Sequence, residues 1–267
     1  MNRRKAFFVS FTVSMAAVLA VYLLMWTGLQ NRSRETDTPQ TNIPKPVPGV
    51  QDSKSILLCL GDEDNPYFFI VKMSAITKRI GIGCISPSYR CSQGESLAQS
   101  FRKAGVKQCL LDIENEFGID IDYYLHCSWK QAAQLTENMD DIGLEKLGED
   151  MPPVIKNYLL ESAEKTDGRT LINCAEKAAG FLDNEIGLAF LTESMAQLII
   201  NNPSCLPQIA DNVKNIYSSL ITNLNTESLA GMKRIAEFIS DSYVEYPREV
   251  ILKNDSKAKE KINFVLE

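Results

Sequence analysis

The sequence has a single histidine, His126, and no Cys-x-x-Cys pair among its seven cysteines. A structural zinc site needs four closely spaced Cys or His ligands, so this class of site is excluded. The sequence also lacks a Gly-x-Ser-x-Gly nucleophile string. We therefore interpret His126 as a strand residue without a catalytic role, because a lone histidine lacks the partners of a catalytic triad.

A cluster of basic residues is also missing from the chain. The formal net charge is -6, and the acidic residues are scattered along the sequence. Proteins that bind nucleic acid carry Lys and Arg clustered on one face. We therefore expect no nucleic-acid partner, and we interpret the acidic residues mainly as solvated surface.

The cysteines do not fit a secreted domain stapled by disulfides. Their odd number leaves at least one thiol unpaired within a monomer. Cys59, Cys84 and Cys109 lie in apolar runs, where a free cysteine behaves as a small hydrophobic residue. This pattern predicts buried thiols and favours an anaerobic or weakly oxidising setting.

Charge is absent from residues 6–24, which follow three basic residues at positions 3 to 5. About 20 apolar residues, rising ~1.5 Å each, span the ~30 Å hydrocarbon layer of a bilayer. The basic flank orients residues 1–5 towards the cytoplasm. The pattern predicts a retained transmembrane anchor over residues 6–27. A cleaved signal peptide is the alternative, but the apolar stretch is long for one and no Ala-x-Ala site follows it.

Residues 28–52 are polar and rich in proline and threonine, which is typical of an extended linker. We expect residues 53–267 to form one extracytoplasmic domain. Strands and helices are mixed along this segment, so we predict an α/β (α+β, three-layer) fold with a mixed central β-sheet flanked by helices. The predicted anchor is one N-terminal transmembrane helix, which precedes this domain.

Residue patterns predict the individual elements of the domain. The predicted strands are 55–60, 67–73, 78–85, 122–126 and 250–252, with a hairpin connection at 74–77. The predicted helices are 96–105, ending at Gly105, then 106–117, 130–138, 151–164, 173–182, 186–201, 206–217 and 227–240.

Four stretches of the domain, in this order, resemble the LytR-CpsA-Psr family of membrane-anchored cell-envelope proteins of Gram-positive bacteria. The stretches are 55–86, with its Gly-Asp-Glu-Asp turn, 117–144, with its Gly-Ile-Asp-Ile-Asp-Tyr-Tyr string, 173–200 and 206–232. The resemblance covers residues 55 to 240. It implies a domain that binds polyisoprenyl pyrophosphate, and active members transfer an anionic glycopolymer from its lipid carrier to peptidoglycan.

The resemblance also implies the residues that such chemistry needs. Arginines hold the pyrophosphate through their planar donor fork, and a carboxylate-bound Mg²⁺ stabilises the leaving group. The family's aspartate after the first strand is present as Asp62, the candidate metal ligand, with Asp64 nearby. Its Pro-Arg-Asp string reads Pro-Ser-Tyr from Pro87, so Arg90 and Arg102 are the candidate replacement phosphate ligands.

Other arginines of the family pattern are replaced here. The family's Tyr-Val-Arg-x-Arg segment reads Phe-Leu-Asp-Asn-Glu over 181–185, which puts Asp183 and Glu185 in place of arginines. Its Gly-Arg-x-x-Arg-Gln-Gln helix has Leu188 and Leu191 at the arginine positions, which predicts a packed helix. Each acidic residue at ~4 Å would repel a pyrophosphate by about 1 kcal/mol in water. The repulsion is several times larger at the lower effective dielectric constant of a protein surface.

These replacements favour a non-catalytic relative that binds or scaffolds envelope polymer or lipid, with no cofactor. The alternative is a divergent Mg²⁺-dependent phosphotransferase, or polyprenyl-pyrophosphate hydrolase, acting on lipid-linked anionic polymers. A sensory or assembly ectodomain of unrelated origin is a third hypothesis. The expected partners are the cell membrane and polyprenyl-linked glycopolymer or other cell-wall components.

Overall fold

The computed structural model describes most of the residues beyond position 48. These are residues 49, 52–64, 66–92, 94–137, 168–181, 184–201, 206–240, 244–253 and 255–267. The predicted anchor at 6–27 and the predicted helix at 151–164 lie outside them. Within the described ranges, no helix is long and apolar enough to cross a bilayer. Contacts along the chain group Pro48–Glu267 into one unit.

Six strands of the described chain form one mixed sheet in the order β5-β4-β1-β2-β3-β6. Strands β1, β3, β4 and β6 run parallel to one another, whereas β2 and β5 run antiparallel to their neighbours. The strands are β1 (Ser53–Leu60), β2 (Tyr67–Ser74), β3 (Arg79–Ile85), β4 (Tyr123–Cys127), β5 (Ile221–Thr222) and β6 (Arg248–Ile251). The predicted mixed sheet and the hairpin between β2 and β3 are confirmed.

Helices cover both faces of the sheet. They are α1 (Leu97–Phe117), α2 (Trp129–Leu135), α3 (Gly168–Phe181), α4 (Asn184–Asn201), α5 (Leu206–Ile216), α6 (Thr226–Ser240) and α7 (Ala258–Leu266). Helices α1 and α7 pack on one face, and α2 to α6 pack on the other. The predicted α/β class is confirmed.

The two-residue alternation of the strands produces two apolar cores. In β1, Leu57 and Cys59 point towards α1, whereas Ile56 and Leu60 point towards the helices of the opposite face. Successive side chains of a strand project to opposite sides, so an almost continuously apolar strand supplies both cores. This explains why β1 and β2 are buried nearly throughout.

Helix α1 is bent at Gly105. Ser96 begins the helix with a capping box, in which its side chain accepts from the Gln99 N–H and the Gln99 side chain accepts from the Ser96 N–H. Gly105 has φ 76° and ψ −173°, a conformation that is essentially restricted to glycine. The predicted break between two helical segments at Gly105 is therefore confirmed as a bend within one element.

Helix α7 lies unusually close to β3. A Cβ atom on Gly81 would lie 1.9 Å from the carbonyl oxygen of Val265, so only glycine fits at this position. Lys72 Nζ donates a hydrogen bond to the carbonyl oxygen of Leu266, and Arg79 Nη2 donates one to that of Phe264 at 3.3 Å. These cations satisfy carbonyl groups of the last helical turn.

The described cysteines confirm the prediction of buried thiols. Six of the seven cysteines are free and buried, and Cys205 lies outside the described residues. Burial raises the pKa of each described thiol, for Cys84 and Cys127 to about 12. These groups therefore stay protonated and act as packing residues.

Candidate functional site

The carboxyl ends of the parallel strands meet at one edge of the sheet. In open α/β sheets, ligands bind outside this edge. Asp62 follows β1 and Arg90 follows β3, so both residues lie at this edge, separated by the width of β2. The topology therefore brings two of the three predicted site residues to the same end of the sheet.

Asp62 lies in an exposed turn that is fixed to β4. The Gly61 N–H donates to the carbonyl oxygen of Cys127 at 3.0 Å, and His126 Nε2 lies 3.1 Å from the Gly61 carbonyl oxygen. Asp62 and Asp64 are exposed, and neither makes a hydrogen bond or an ion pair with a described residue. The turn thus leaves both carboxylates accessible to solvent.

These carboxylates alone do not form a metal site. Within the described ranges, no group of three His, Cys, Asp or Glu side chains is placed to hold a metal ion. Protein-bound Mg²⁺ is commonly held by one or two carboxylates together with substrate phosphates. Asp62 therefore fits Mg²⁺ only if a bound pyrophosphate supplies the remaining oxygens.

The two candidate arginines are exposed, and neither bonds to Asp62. Arg90 pairs through its backbone with Ser96, in the segment that leads into α1. Arg102 lies along α1, where its Nε donates to the Ala98 carbonyl oxygen at 3.4 Å. No ion pair or hydrogen bond between described residues joins either arginine to Asp62. The structure shows no assembled phosphate cradle here.

His126 has a packing role in the structure. Its ring meets the ring of Phe101 edge-on at a centroid distance of 5.0 Å, and Phe101 in turn contacts Phe68. Together with the contact to Gly61, these neighbours hold the imidazole between α1 and the end of β1. His126 lies in β4, as predicted, and no described nucleophile bonds to it.

Helix α4 contributes core residues at the two positions where the resemblance implies arginines. Leu188 and Leu191 are each 1% exposed and belong to the apolar cluster beneath the sheet. Thr192 is also buried, and its hydroxyl donates to the Leu188 carbonyl oxygen at 2.8 Å. The predicted packing of this helix is confirmed. The side chain of Glu185 and all of Asp183 lie outside what the structure describes.

A cavity of about 440 Å³ lies between α4, β6 and α7. It contains charges of both signs, and the cations are paired with carboxylates. Arg248 Nε lies 2.7 Å from Glu193, and Lys261 Nζ lies 2.8 Å from Asp255 and donates to the Val250 carbonyl oxygen at 2.9 Å. Sequence reasoning missed this cavity because its residues come from three separate segments, and α7 was not predicted.

Comparisons with known proteins find the fold rather than a close relative. No family model matches the sequence, and no curated protein matches it. The structure of TagT bound to LI-WTA is similar, with 14% identity, 83% of this chain and 92% of that chain covered, and a TM-score of 0.60. This chain has the same fold.

Two further solved structures have a similar fold. Bacillus subtilis TagV has 15% identity over 81% of this chain and 96% of that chain, with a TM-score of 0.52. A transcriptional regulator from Enterococcus faecalis has 13% identity over 75% of this chain and 76% of that chain, with a TM-score of 0.54. These likenesses support the resemblance to the LytR-CpsA-Psr family at the level of the fold.

Proposed function

We propose that this protein is a membrane-anchored, extracytoplasmic cell-envelope protein that keeps the fold of TagT and TagV without pyrophosphate chemistry. It binds or scaffolds envelope polymer at the outer surface of the membrane. The burial of Leu188 and Leu191 carries this proposal, since the positions at which the family pattern has arginines contribute here to the apolar core.

This change cannot be reversed by a rotation of side chains. A helix face that packs against a sheet has no room for a solvated guanidinium, and a buried, unpaired charge costs several kcal/mol. The anion-binding face of α4 has therefore become a packing face. The fold is stabilised by the same side chains that remove the site.

The cations that remain near α4 are already neutralised. A pyrophosphate approaching Arg248 would also approach Glu193, which lies 2.7 Å from the arginine. Two like charges 4 Å apart repel by about 4 kcal/mol at the effective dielectric constant of a protein surface. The cavity beside α4 thus disfavours a multiply charged anion.

Different observations support the proposed membrane anchor and the proposed class of ligand. The uncharged stretch at 6–24 and its basic flank support an anchor with a cytoplasmic N-terminus. The structure of TagT contains LI-WTA. A similar fold held at the membrane by a linker is suited to binding an envelope polymer without reacting with it.

A divergent phosphotransferase or pyrophosphate hydrolase is the second candidate. The exposure of Asp62 and Arg90 at the carboxyl edge of the sheet favours it, because both side chains are open to a substrate. Mg²⁺ bound at Asp62 would supply charge stabilisation to a leaving phosphate.

The test uses the purified full-length chain in detergent micelles. It is incubated with polyprenyl pyrophosphate with and without Mg²⁺, and released phosphate is measured. In parallel, sedimentation with isolated cell-wall material measures polymer binding. The proposal expects polymer binding and no phosphate release.

Two variants separate the candidates. Asp62→Ala and Arg90→Ala should leave polymer binding unchanged if the protein is non-catalytic. Mg²⁺-dependent phosphate release that both substitutions abolish would overturn the proposal in favour of the enzyme. Absence of both binding and release would contradict both candidates.

A further inference from the structure

The bend of helix α1 borders a second cavity. Its volume is about 250 Å³, several times the ~30 Å³ that a water molecule occupies in the liquid. Both halves of the bent helix contribute to it. The lining residues that matter are Cys91, Glu95, Ser100, Lys103, Gln108 and Asp112.

Asp112 is a buried carboxylate in this cavity. It is 6% exposed, and its two oxygens accept hydrogen bonds from the Ser100 hydroxyl and from Gln108 Nε2, the latter at 2.8 Å. Both donors are neutral, and no described Lys or Arg forms an ion pair with Asp112. A buried carboxylate without a cationic partner is costly, so a cation in the cavity would stabilise it.

The polar atoms around Asp112 are acceptors. Because Ser100 gives its proton to Asp112, its oxygen offers lone pairs to the cavity. Gln108 uses its amide nitrogen towards Asp112, which leaves its carbonyl oxygen as an acceptor. Together with the carboxylate, these groups match the three donors of a primary ammonium group.

Further carboxylates lie near Asp112, namely Glu95 in the lining and Glu116 beside Cys91. Burial raises the pKa of the Cys91 thiol to about 12, and the neighbouring Glu116 and Asp112 add to this rise. The cation that lines the cavity, Lys103, bonds to Glu95 at the mouth, and its side chain is 65% exposed. The interior is therefore electronegative, with an ion pair at its entrance.

We propose that the cavity in the bend of α1 binds a primary ammonium group carried by an aliphatic chain. The ammonium nitrogen pairs with Asp112 and donates to Ser100 and Gln108, while the chain leaves past Lys103. A metal ion is not favoured here, since no group of three His, Cys, Asp or Glu side chains among the described residues is placed to hold one.

Occupation of the cavity would stiffen α1. Ser100 belongs to the segment before Gly105, whereas Gln108 and Asp112 belong to the segment after it. A ligand that contacts all three joins the two segments across the bend. It thereby fixes Phe101, which packs on His126 and Phe68 at the sheet.

The experiment titrates the full-length protein with n-butylammonium chloride at constant ionic strength, and saturation-transfer difference NMR measures binding. Tetramethylammonium is the comparison cation, since it has the same charge without N–H donors. We expect saturable binding of butylammonium, and at least tenfold weaker binding of tetramethylammonium. No saturable binding of butylammonium, or equal binding of both, would overturn the proposal.

The decisive variant is Asp112→Asn, which keeps an acceptor for Ser100 and removes the charge. It should weaken butylammonium binding at least tenfold, whereas Asp120→Asn, a change at an exposed carboxylate, should leave binding unchanged. Circular dichroism checks that the variants fold. If Asp112→Asn fails to fold, Ala104→Leu decides, because Ala104 is exposed at the cavity and leucine fills the space without changing charge. Retained binding in either folded variant would refute the site.

Discussion

The two ends of strand β1 carry carboxylates in opposite circumstances. At its start, Asp52 is 3% exposed and accepts hydrogen bonds from the Gly49 N–H at 2.8 Å and from Arg234 Nε at 2.9 Å. Beyond its other end, after eight strand residues that span ~26 Å at ~3.3 Å each, Asp62 is exposed and bonds to no described residue. One carboxylate is used by the fold, and the other is left available.

Asp122 is a second carboxylate that is bonded within the fold near the start of β1. Its carboxylate accepts from the N–H and the hydroxyl of Ser55, both at 2.9 Å, and lies 3.1 Å from Lys54 Nζ. These bonds join the start of β1 to the start of β4. The amino edge of the sheet is thus fixed by polar contacts, whereas the carboxyl edge is open at Asp62.

The largest expected effect is that of Asp52→Ala. The substitution leaves the Gly49 N–H and the Arg234 guanidinium without their acceptor. We expect the free energy of unfolding to fall by about 2 kcal/mol, the usual range for loss of buried, charge-assisted hydrogen bonds. Urea denaturation of the full-length chain measures this. A loss below about 0.5 kcal/mol would remove the distinction between the two ends of β1.

The next largest effect is expected in how the stability of Asp52→Asn, relative to wild type, depends on pH. The Gly49 N–H lowers the pKa of Asp52 against the effect of burial, and Arg234 lowers it further. A lowered folded-state pKa stabilises the protein above the unfolded value of about 3.9, and this contribution is lost as pH falls through the folded value. The stability difference between wild type and Asp52→Asn should therefore be constant near neutral pH and shrink below about pH 4. A difference that grows on acidification would contradict this assignment.

A smaller effect is expected for Asp122→Ala. Burial opposes ionisation of this carboxyl, but the hydrogen bonds from Ser55 and Lys54 outweigh it and lower the pKa of Asp122. The side chain is about one-third exposed, so water replaces part of what is lost. We expect destabilisation of about 1 kcal/mol by urea denaturation. Asp120→Ala, at a neighbouring exposed carboxylate, is the matched control and should change little.

The smallest effect is expected for Asp62→Ala. An exposed side chain without partners contributes within about 0.5 kcal/mol to stability. Thermal and urea unfolding of this variant should match wild type. Destabilisation comparable to that of Asp52→Ala would show that Asp62 is a structural residue and would sharpen the case against a role in ligand binding.

Sequence patterns predicted the strands that have strong apolar runs. Strands β1 to β3 were predicted to within two residues because each is bounded by a polar turn and buried on both faces. Strand β5 was missed, since its two residues are a strand only through pairing with β4. Helix α7 was missed as well, because its nine residues are too few to show a helical period.

The candidate site was harder to predict than the fold. Asp52 looked like part of the polar linker, and its burial depends on Arg234, which lies 182 residues away along the chain. Leu188 and Leu191 were predicted to pack because a spacing of three residues places both on one face of a helix. The charge pairing of Arg248 with Glu193 depends on β6 lying beside α4, which no local pattern reveals.

The close approach of α7 to Gly81 has a consequence for how the chain folds. The contact between Lys72 and Leu266 spans 194 residues, so β2 and β3 are synthesised long before the helix that covers them. Closing such a loop is entropically unfavourable and contributes to slow folding. Until α7 docks, Gly81 and Gly83 of β3 leave backbone exposed to solvent. The sheet face at Gly81 is therefore incompletely covered until α7 has been synthesised and has docked.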